Sequence, residues 1–543
     1  MILAGCERLS FKIINKNNFW PGCMILAILV HFSLLFFIGY FRHWGYLNSI
    51  YDLGVFDQVV WGTLHGKALI STIHFNRPIN WLGFHFHPIL FLFSVLYYIS
   101  STVNWFIVVQ ALSLSLTAWP IFLIGKQVCE SEKAGFLWAL CYLVNPFLLN
   151  SAAWDFHPMS IALPFIALSF LAIERNNFRL LVICCAVILM CKEHMGFMVM
   201  GLGFIWWIKK RYWKTSLILI TIGIVHFFVV FQIIMPAFSP TAGHVMLADG
   251  STHLSRYSWL GNSLWAISYT LFVHPLFVIK TTMLEYGGAQ YLFFLLLLFS
   301  GLFLLAPEYL IVGLADLAAN VLSENSMPRS IFAYHSACLI PILTIATIYG
   351  VKRLPFKTIR NPVIKLAMLL LLLNLIWGYF YAPLPLPGSI NYWAPKRFVN
   401  WKDPKVAKIR SEIDKDRSVS VQNNIASHFS QFEKLYLFPS RIDDADFIIL
   451  RLESPTNNIN NIQEKYTNRR KDILGTLDSH LQMDRTEYIS TIEKLLADKR
   501  YGIFIWNDPW LVFQKELGYK NFMQEIELKL NRLKKEWCVG NDI

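Results

Sequence analysis

Charge is what this chain has least of. Only 15% of its 543 residues are charged, against about 25% in soluble domains. Hydrophobic side chains take up the difference at 55%. That balance excludes an ordinary soluble enzyme and points to a polytopic membrane protein. Marks of the common soluble chemistries are missing too. There is no Walker loop, no glycine-rich dinucleotide turn, no serine nucleophile elbow and no HExxH zinc helix. Of nine cysteines, Cys23, Cys141, Cys184, Cys185, Cys191 and Cys338 lie in apolar runs and none forms a CxxC pair. Neither a zinc knuckle nor a disulfide framework is indicated. No small-residue cleavage site follows the first apolar run, and Arg8, Lys12 and Lys16 precede it. It reads as a signal anchor whose amino end stays inside. The net charge of +13 sits mostly between hydrophobic segments and in the tail. It therefore suits cytoplasmic loops and lipid headgroups, not nucleic acid.

What is present is organised around Tyr51-Asp52-Leu53-Gly54-Val55-Phe56-Asp57-Gln58. After a cytoplasmic amino terminus (1–22), residues 23–41 are long enough, at roughly 20 residues, to cross the hydrocarbon core. The arginine and lysine bias places the next loop, 42–88, outside, and 51–65 is compatible with a short interfacial helix. Further apolar runs bring the count to about eleven spans between 23 and 381. Two full spans between His87 and Lys126 put Lys126 outside, in conflict with the positive-inside rule. Either 89–100 does not fully cross or the rule fails there. From Ala382 a stiff proline-rich linker leads to some 150 mostly polar residues, enough for one soluble domain. Its candidate strands are Ser418–Val421, Lys434–Phe438 and Asp446–Leu452, with a hairpin turning at Asn507-Asp508-Pro509. The fold class is mainly α, a polytopic helical membrane domain followed by an α/β domain (382–543) outside the cytoplasm.

Two carboxylates at an outer membrane surface are costly unless hydrated or used. Asp52 and Asp57 stand five apart, about 140° around a helix, so they are alternatives for one role, not a pair. Asp52 also suits the bland role of helix N-cap. His85-Phe86-His87-Pro88 and Asp155-Phe156-His157-Pro158 share a form. Extended backbone before proline points residues two apart the same way, so His85 with His87, and Asp155 with His157, can each face one site. The two uses are divalent metal ligation or hydrogen bonding to phosphate, against helix capping with interfacial histidines. Lys192-Glu193-His194 interrupts the apolar stretch 180–208 and reads as the tip of a short hairpin in a water-filled cleft. The alternative is an internal Lys192–Glu193 pair. Arg329, Tyr334 and His335 form a further outer cluster, read as phosphate-binding or as an interfacial anchor.

The series YDLGVFDQ, HFHP, DFHP and KEH resembles a domain-of-unknown-function family of predicted bacterial membrane proteins. That family's usual pattern has HFSP where this chain has His85-Phe86-His87-Pro88, and KED where it has Lys192-Glu193-His194. The family is in turn similar to the GT-C superfamily of membrane glycosyltransferases, which use polyprenyl-phosphate sugars and an acidic residue in the first outer loop. The resemblance implies Asp52, with Asp57 second, as that acid and Lys192 as the hairpin lysine. Histidine at 194, where an acid is usual, weakens a metal role at that position. The expected activity is transfer of a sugar from a polyprenyl-phosphate carrier to a cell-envelope acceptor at a bacterial inner membrane. Lys192, Glu193, His157, Asp155, His85, His87, Arg329 and His335 would bind substrate. No cofactor is required by any motif, though a divalent metal fits the histidine sites. The expected partners are membrane lipids and the lipid-linked sugar, with no nucleic acid, and nothing fixes the oligomeric state. The rivals are a lipid or solute transporter and a non-catalytic envelope protein.

Overall fold

In hydrocarbon every backbone polar group must be satisfied within its own segment, so the apolar runs of this chain fold as helices. The computed structural model describes residues 19–241, 243–245, 254–355, 361–393, 395, 399–455 and 467–539. The amino-terminal residues up to 18, and residues 356–360 of the basic loop expected inside, lie outside that set. The chain is mainly helical.

Among the described residues four helices are long and apolar enough to cross a membrane: Phe19–Trp44, Asn104–Cys129, Trp213–Phe238 and Pro362–Tyr381. There are six if the bent pairs Glu132–Leu143 with Pro146–Ala152 (53°) and Trp265–Val273 with Pro275–Glu285 (94°) each count as one. Leu90–Ile99, Met159–Glu174, Phe178–Leu189, Gly288–Phe299 and Leu339–Lys352 are apolar but shorter. Eleven hydrophobic runs thus overstate the full-length helices, because apolarity reports burial against protein as readily as against lipid. Every residue from Leu339 to Val351 is buried inside the fold. The ten residues of Leu90–Ile99 reach about 15 Å, half of a hydrocarbon core. A segment that short fits the alternative in which 89–100 does not fully cross.

The first loop does not lie flat at an interface. A small antiparallel ladder joins β1 (Ile70–Ser71) to β2 (Ile79–Asn80). Beside it the helix Val55–Leu64 is buried at every position from Val55 to Gly62. What buries it is partly the tail. There, β3 (Ser418–Val421), β4 (Lys434–Leu437), β5 (Phe447–Arg451), β6 (Tyr501–Asn507) and β7 (Trp510–Lys515) form one sheet in the order β4-β3-β5-β7-β6. β3 runs parallel to β4 and β5, whereas β7 is antiparallel to β5 and β6.

Strand alternation gives this sheet two working faces. Ile448 and Leu450 point into a core shared with the tail's own helices, including Leu477, Ile492 and Leu530. Phe447 and Ile449 point the other way, into a core that also contains Ile50, Leu53, Phe56 and Val59 of the first loop. One hydrophobic cluster therefore joins the tail to the loop. Separating the two would expose it.

Candidate functional site

The first loop enters its key turn through Ser49, whose backbone is extended (φ −108°, ψ 145°) and whose hydroxyl accepts from the Tyr51 N–H. Ser49, not Asp52, is the cap. Residues Ile50–Gly54 then form a π-turn, with the Val55 N–H reaching the Ile50 carbonyl. Such single π-turns concentrate at functional sites because they re-aim one side chain. Here that side chain is Asp52. Its Oδ1 lies 3.4 Å from His157 Nε2, and its side chain keeps 33% of its surface exposed.

The proton on this pair is constrained. His157 Nδ1 is 2.9 Å from the Asp155 carbonyl oxygen, which can only accept, so Nδ1 carries a hydrogen. Nε2 then holds a proton only when the ring is an imidazolium. Burial pushes the Asp52 carboxyl up, but the His157 hydrogen bond and charge, with Arg42 and His74 further off, outweigh it and hold it below the ordinary value. Asp52 is therefore a carboxylate that a substrate can reach, with a proton acceptor's charge.

Aromatic rings carry the site outward. His157 stacks on Tyr334 with centroids 3.5 Å apart, and Tyr334 stacks on His335 at 4.2 Å. The buried His335 Nδ1 has no hydrogen-bond partner among the described residues. Lys192 and Arg256 are both within electrostatic reach of His335. Neither cation's side chain has an ion pair among the described residues, and Asp52 reaches the same ring with the opposite charge.

Lys192, Glu193 and His194 do not act as one group. The break between helices Phe178–Leu189 and Gly196–Lys210 sends them three ways. Lys192 makes no ion pair among the described residues and lies within electrostatic reach of His87, Glu193 and His335. Glu193 pairs with His85 at 3.3 Å and accepts the Phe86 N–H at 3.2 Å. His194 pairs with Asp316 at 2.8 Å. The internal Lys192–Glu193 bridge is thus replaced by a bridge to the HFHP segment. The rings of His85 and His87 do face together, stacked at 5.2 Å and 12°.

Three expected site residues turn to architecture. Asp155 does not share a site with His157. Its carboxylate takes Arg42 Nε at 3.1 Å, Asn48 Nδ2 at 2.6 Å and the Ser49 N–H at 2.7 Å. Arg329 spends its Nη1 on the carbonyls of Asn320 (3.1 Å), Val321 (3.5 Å) and Ser323, closing the end of helix Leu314–Leu322. No phosphate role is left for that nitrogen.

Asp57, buried at 1% exposure, accepts from the Tyr97 and Ser430 hydroxyls and from Gln431 Nε2 at 3.1 Å. The π-turn and helix aim it away from Asp52, at the tail. Burial raises the Asp57 carboxyl above its ordinary value, against the pull of those three donors and Arg410. A raised acid binds its proton more readily when folded, so its contribution is fully present below the unfolded value. It is lost as pH rises through the folded one. Asp57→Asn is expected to flatten this slope: as pH rises above the ordinary aspartate value, the thermal stability of the variant falls less than that of the parent.

The tail supplies residues that motif reading passed over. Asn423 Oδ1 accepts the Ile50 N–H at 3.0 Å and the Ser49 hydroxyl at 3.3 Å, at the start of the turn bearing Asp52. Asn424 donates to the Tyr46 carbonyl at 3.1 Å. Both follow β3 at its carboxyl end, where open α/β sheets offer a crevice to ligands. The ligand here is the chain's own first loop. The signal was the polar run Gln422-Asn423-Asn424 directly after the alternating strand Ser418-Val419-Ser420-Val421. Asn423→Ala leaves the buried Ile50 N–H unpaired, an expected loss of about 1–3 kcal/mol, read from thermal unfolding. His74, also overlooked, faces Tyr51 at 5.0 Å between centroids. Burial, with the His85 charge adding, pushes it down to about 4, so it stands neutral near Asp52.

The long apolar helices, the broken hairpin and charges gathered under a docked α/β tail define a helical membrane protein with a polar site at one end of its bundle. The chain belongs to the DUF2079 family, described as predicted membrane proteins, whose model matches residues 42–507. Among solved structures it is similar to a crystal structure of ArnT from Cupriavidus metallidurans bound to undecaprenyl phosphate. The likeness is 10% in identity with a TM-score of 0.48, covering 91% of this chain and 98% of that one. No curated protein matches the sequence.

Proposed function

We propose that the protein is a glycosyltransferase that moves a sugar from a polyprenyl-phosphate carrier to a cell-envelope acceptor. The observation that carries this reading is a reachable Asp52 carboxylate 3.4 Å from His157, with Lys192 and Arg256, neither in an ion pair among the described residues, within electrostatic reach of His335. A base with two cations gathered nearby suits a reaction that takes a proton at one end and releases a phosphate at the other. Asp52 removes the acceptor hydroxyl proton, and the acceptor oxygen bonds to the anomeric carbon. The carbon–oxygen bond to phosphate breaks, and its electron pair leaves with the polyprenyl phosphate. Lys192 and Arg256 stabilise that leaving group, and attack from the opposite face inverts the anomeric centre. His157 and His335 line the path between the two.

The YDLGVFDQ, HFHP, DFHP and KEH series, which resembles a family in turn similar to membrane glycosyltransferases, supports the same reading. On this reading the enzyme sits in a bacterial inner membrane with its tail outside the cytoplasm, where the tail holds the first loop in its working shape. The test is turnover by the purified full-length protein of lipid-linked sugars presented in detergent or vesicles. Release of free polyprenyl phosphate together with a glycosylated acceptor is the expected result. Movement of the lipid-linked sugar across vesicles with no bond made or broken would overturn it in favour of transport.

A further inference from the structure

We propose that His85, His87 and Glu193 bind a divalent metal ion of the zinc class where the HFHP segment meets the break in the helical hairpin. Each residue offers a ligand atom, and those atoms lie within 4.8 Å of one another. A tetrahedral ion with bonds of about 2.0–2.1 Å sets its ligands about 3.4 Å apart. The three donors therefore need to close by about 1 Å or less each on the ion, within reach of side-chain rotation.

The donors are already oriented. The Phe86 N–H holds Glu193 Oε2 at 3.2 Å, which leaves Oε1 turned to His85 at 3.3 Å. The Trp81 indole N–H donates to His87 Nδ1 at 3.1 Å. Because an indole N–H only donates, that nitrogen presents a lone pair and not a proton. Ligation through it exchanges the indole for the ion. The Phe86 N–H, which ligation leaves in place on Glu193, is the kind of outer partner that holds ligand orientation in a metal site.

The donor set decides the class of ion. Two imidazoles and one carboxylate suit zinc and its neighbours, whereas magnesium and calcium prefer oxygen throughout. Three protein ligands leave one position for water or substrate, the pattern of catalytic and not structural zinc. Glu193 offsets only one of the ion's two charges and Lys192 adds another, so the open position favours an anion. That this anion is the carrier's phosphate rests on the transferase reading. Metal uptake does not.

The test uses the full-length protein purified in detergent through a tag without histidine. The protein is stripped with chelator, loaded with Zn²⁺ or Co²⁺, desalted and assayed by elemental mass spectrometry. The expected result is about one equivalent per chain, with Co²⁺ giving the strong visible absorption of four-coordinate ligation. His85→Ala and Glu193→Gln are expected to lower affinity at least tenfold. His194→Ala, next in the chain but outside the cluster, keeps it. Should buried Glu193→Gln fail to fold, His85→Ala, whose side chain is 16% exposed, carries the comparison alone. A loaded wild type without bound metal, or a folded His85→Ala that binds as well as wild type, overturns the proposal. No substrate is present, so a failed transferase assay leaves this result standing, and the reverse also holds.

Discussion

Asp52→Asn is expected to lower turnover of a lipid-linked sugar by about 10²–10⁴-fold, the range a positioned general base contributes. Its fold is expected to survive. The carboxylate keeps a third of its surface exposed and makes one ion pair, at 3.4 Å, and exposed pairs contribute about 0–1 kcal/mol. Asparagine is nearly the same shape and still meets His157, but it cannot take a proton from an acceptor hydroxyl. The loss should therefore appear in kcat, with thermal unfolding within about 1 kcal/mol of wild type. The pH profile adds a second reading. Asp52 is held below its ordinary value, so its charged form persists through neutrality and fades only as pH falls through that lowered value. Wild-type activity should be level on the acid side of neutrality and drop at lower pH, a limb the variant lacks. Wild-type turnover by Asp52→Asn at equal protein level would remove the residue from the chemistry.

Helical membrane character was written in composition, because a chain this poor in charge has few other ways to bury its apolar runs. The pairing of His85 with His87 was legible for a local reason, two residues apart before a proline. Asp155 and Asp57 show where such reading stops. Asp155 sits two residues before His157, yet its partners Arg42, Asn48 and Ser49 lie more than a hundred positions earlier. Asp57 meets Ser430 and Gln431, more than three hundred and seventy positions on. Both look functional in sequence because buried carboxylates and reactive ones share the same neighbours, aromatics and prolines. Only the fold tells which carboxylate has its lone pairs already taken. Asp52 was told apart from a helix cap by one device no periodicity reveals, the π-turn that hands capping to Ser49.

The largest loss of stability is expected from Asp155→Ala. Its carboxylate is 1% exposed and receives the Arg42 guanidinium, itself 16% exposed, at 3.1 Å. Removing one partner of a buried pair strands the other charge, at about 3–5 kcal/mol. Asn48 and the Ser49 N–H lose their acceptor as well. Thermal unfolding in detergent measures the effect, with Asn423→Ala as a milder companion acting on the other side of Ser49. Replacing both charges, Arg42→Leu with Asp155→Leu, separates the causes. If the stranded guanidinium is the main cost, the double variant is more stable than Asp155→Ala, since apolar pairs often substitute for buried ion pairs at little loss. If the anchoring of Ser49 dominates, the two variants unfold alike. Either way turnover should fall, because Ser49 starts the turn that aims Asp52. An Asp155→Ala protein within about 1 kcal/mol of wild type would show that the first loop is held by the tail alone.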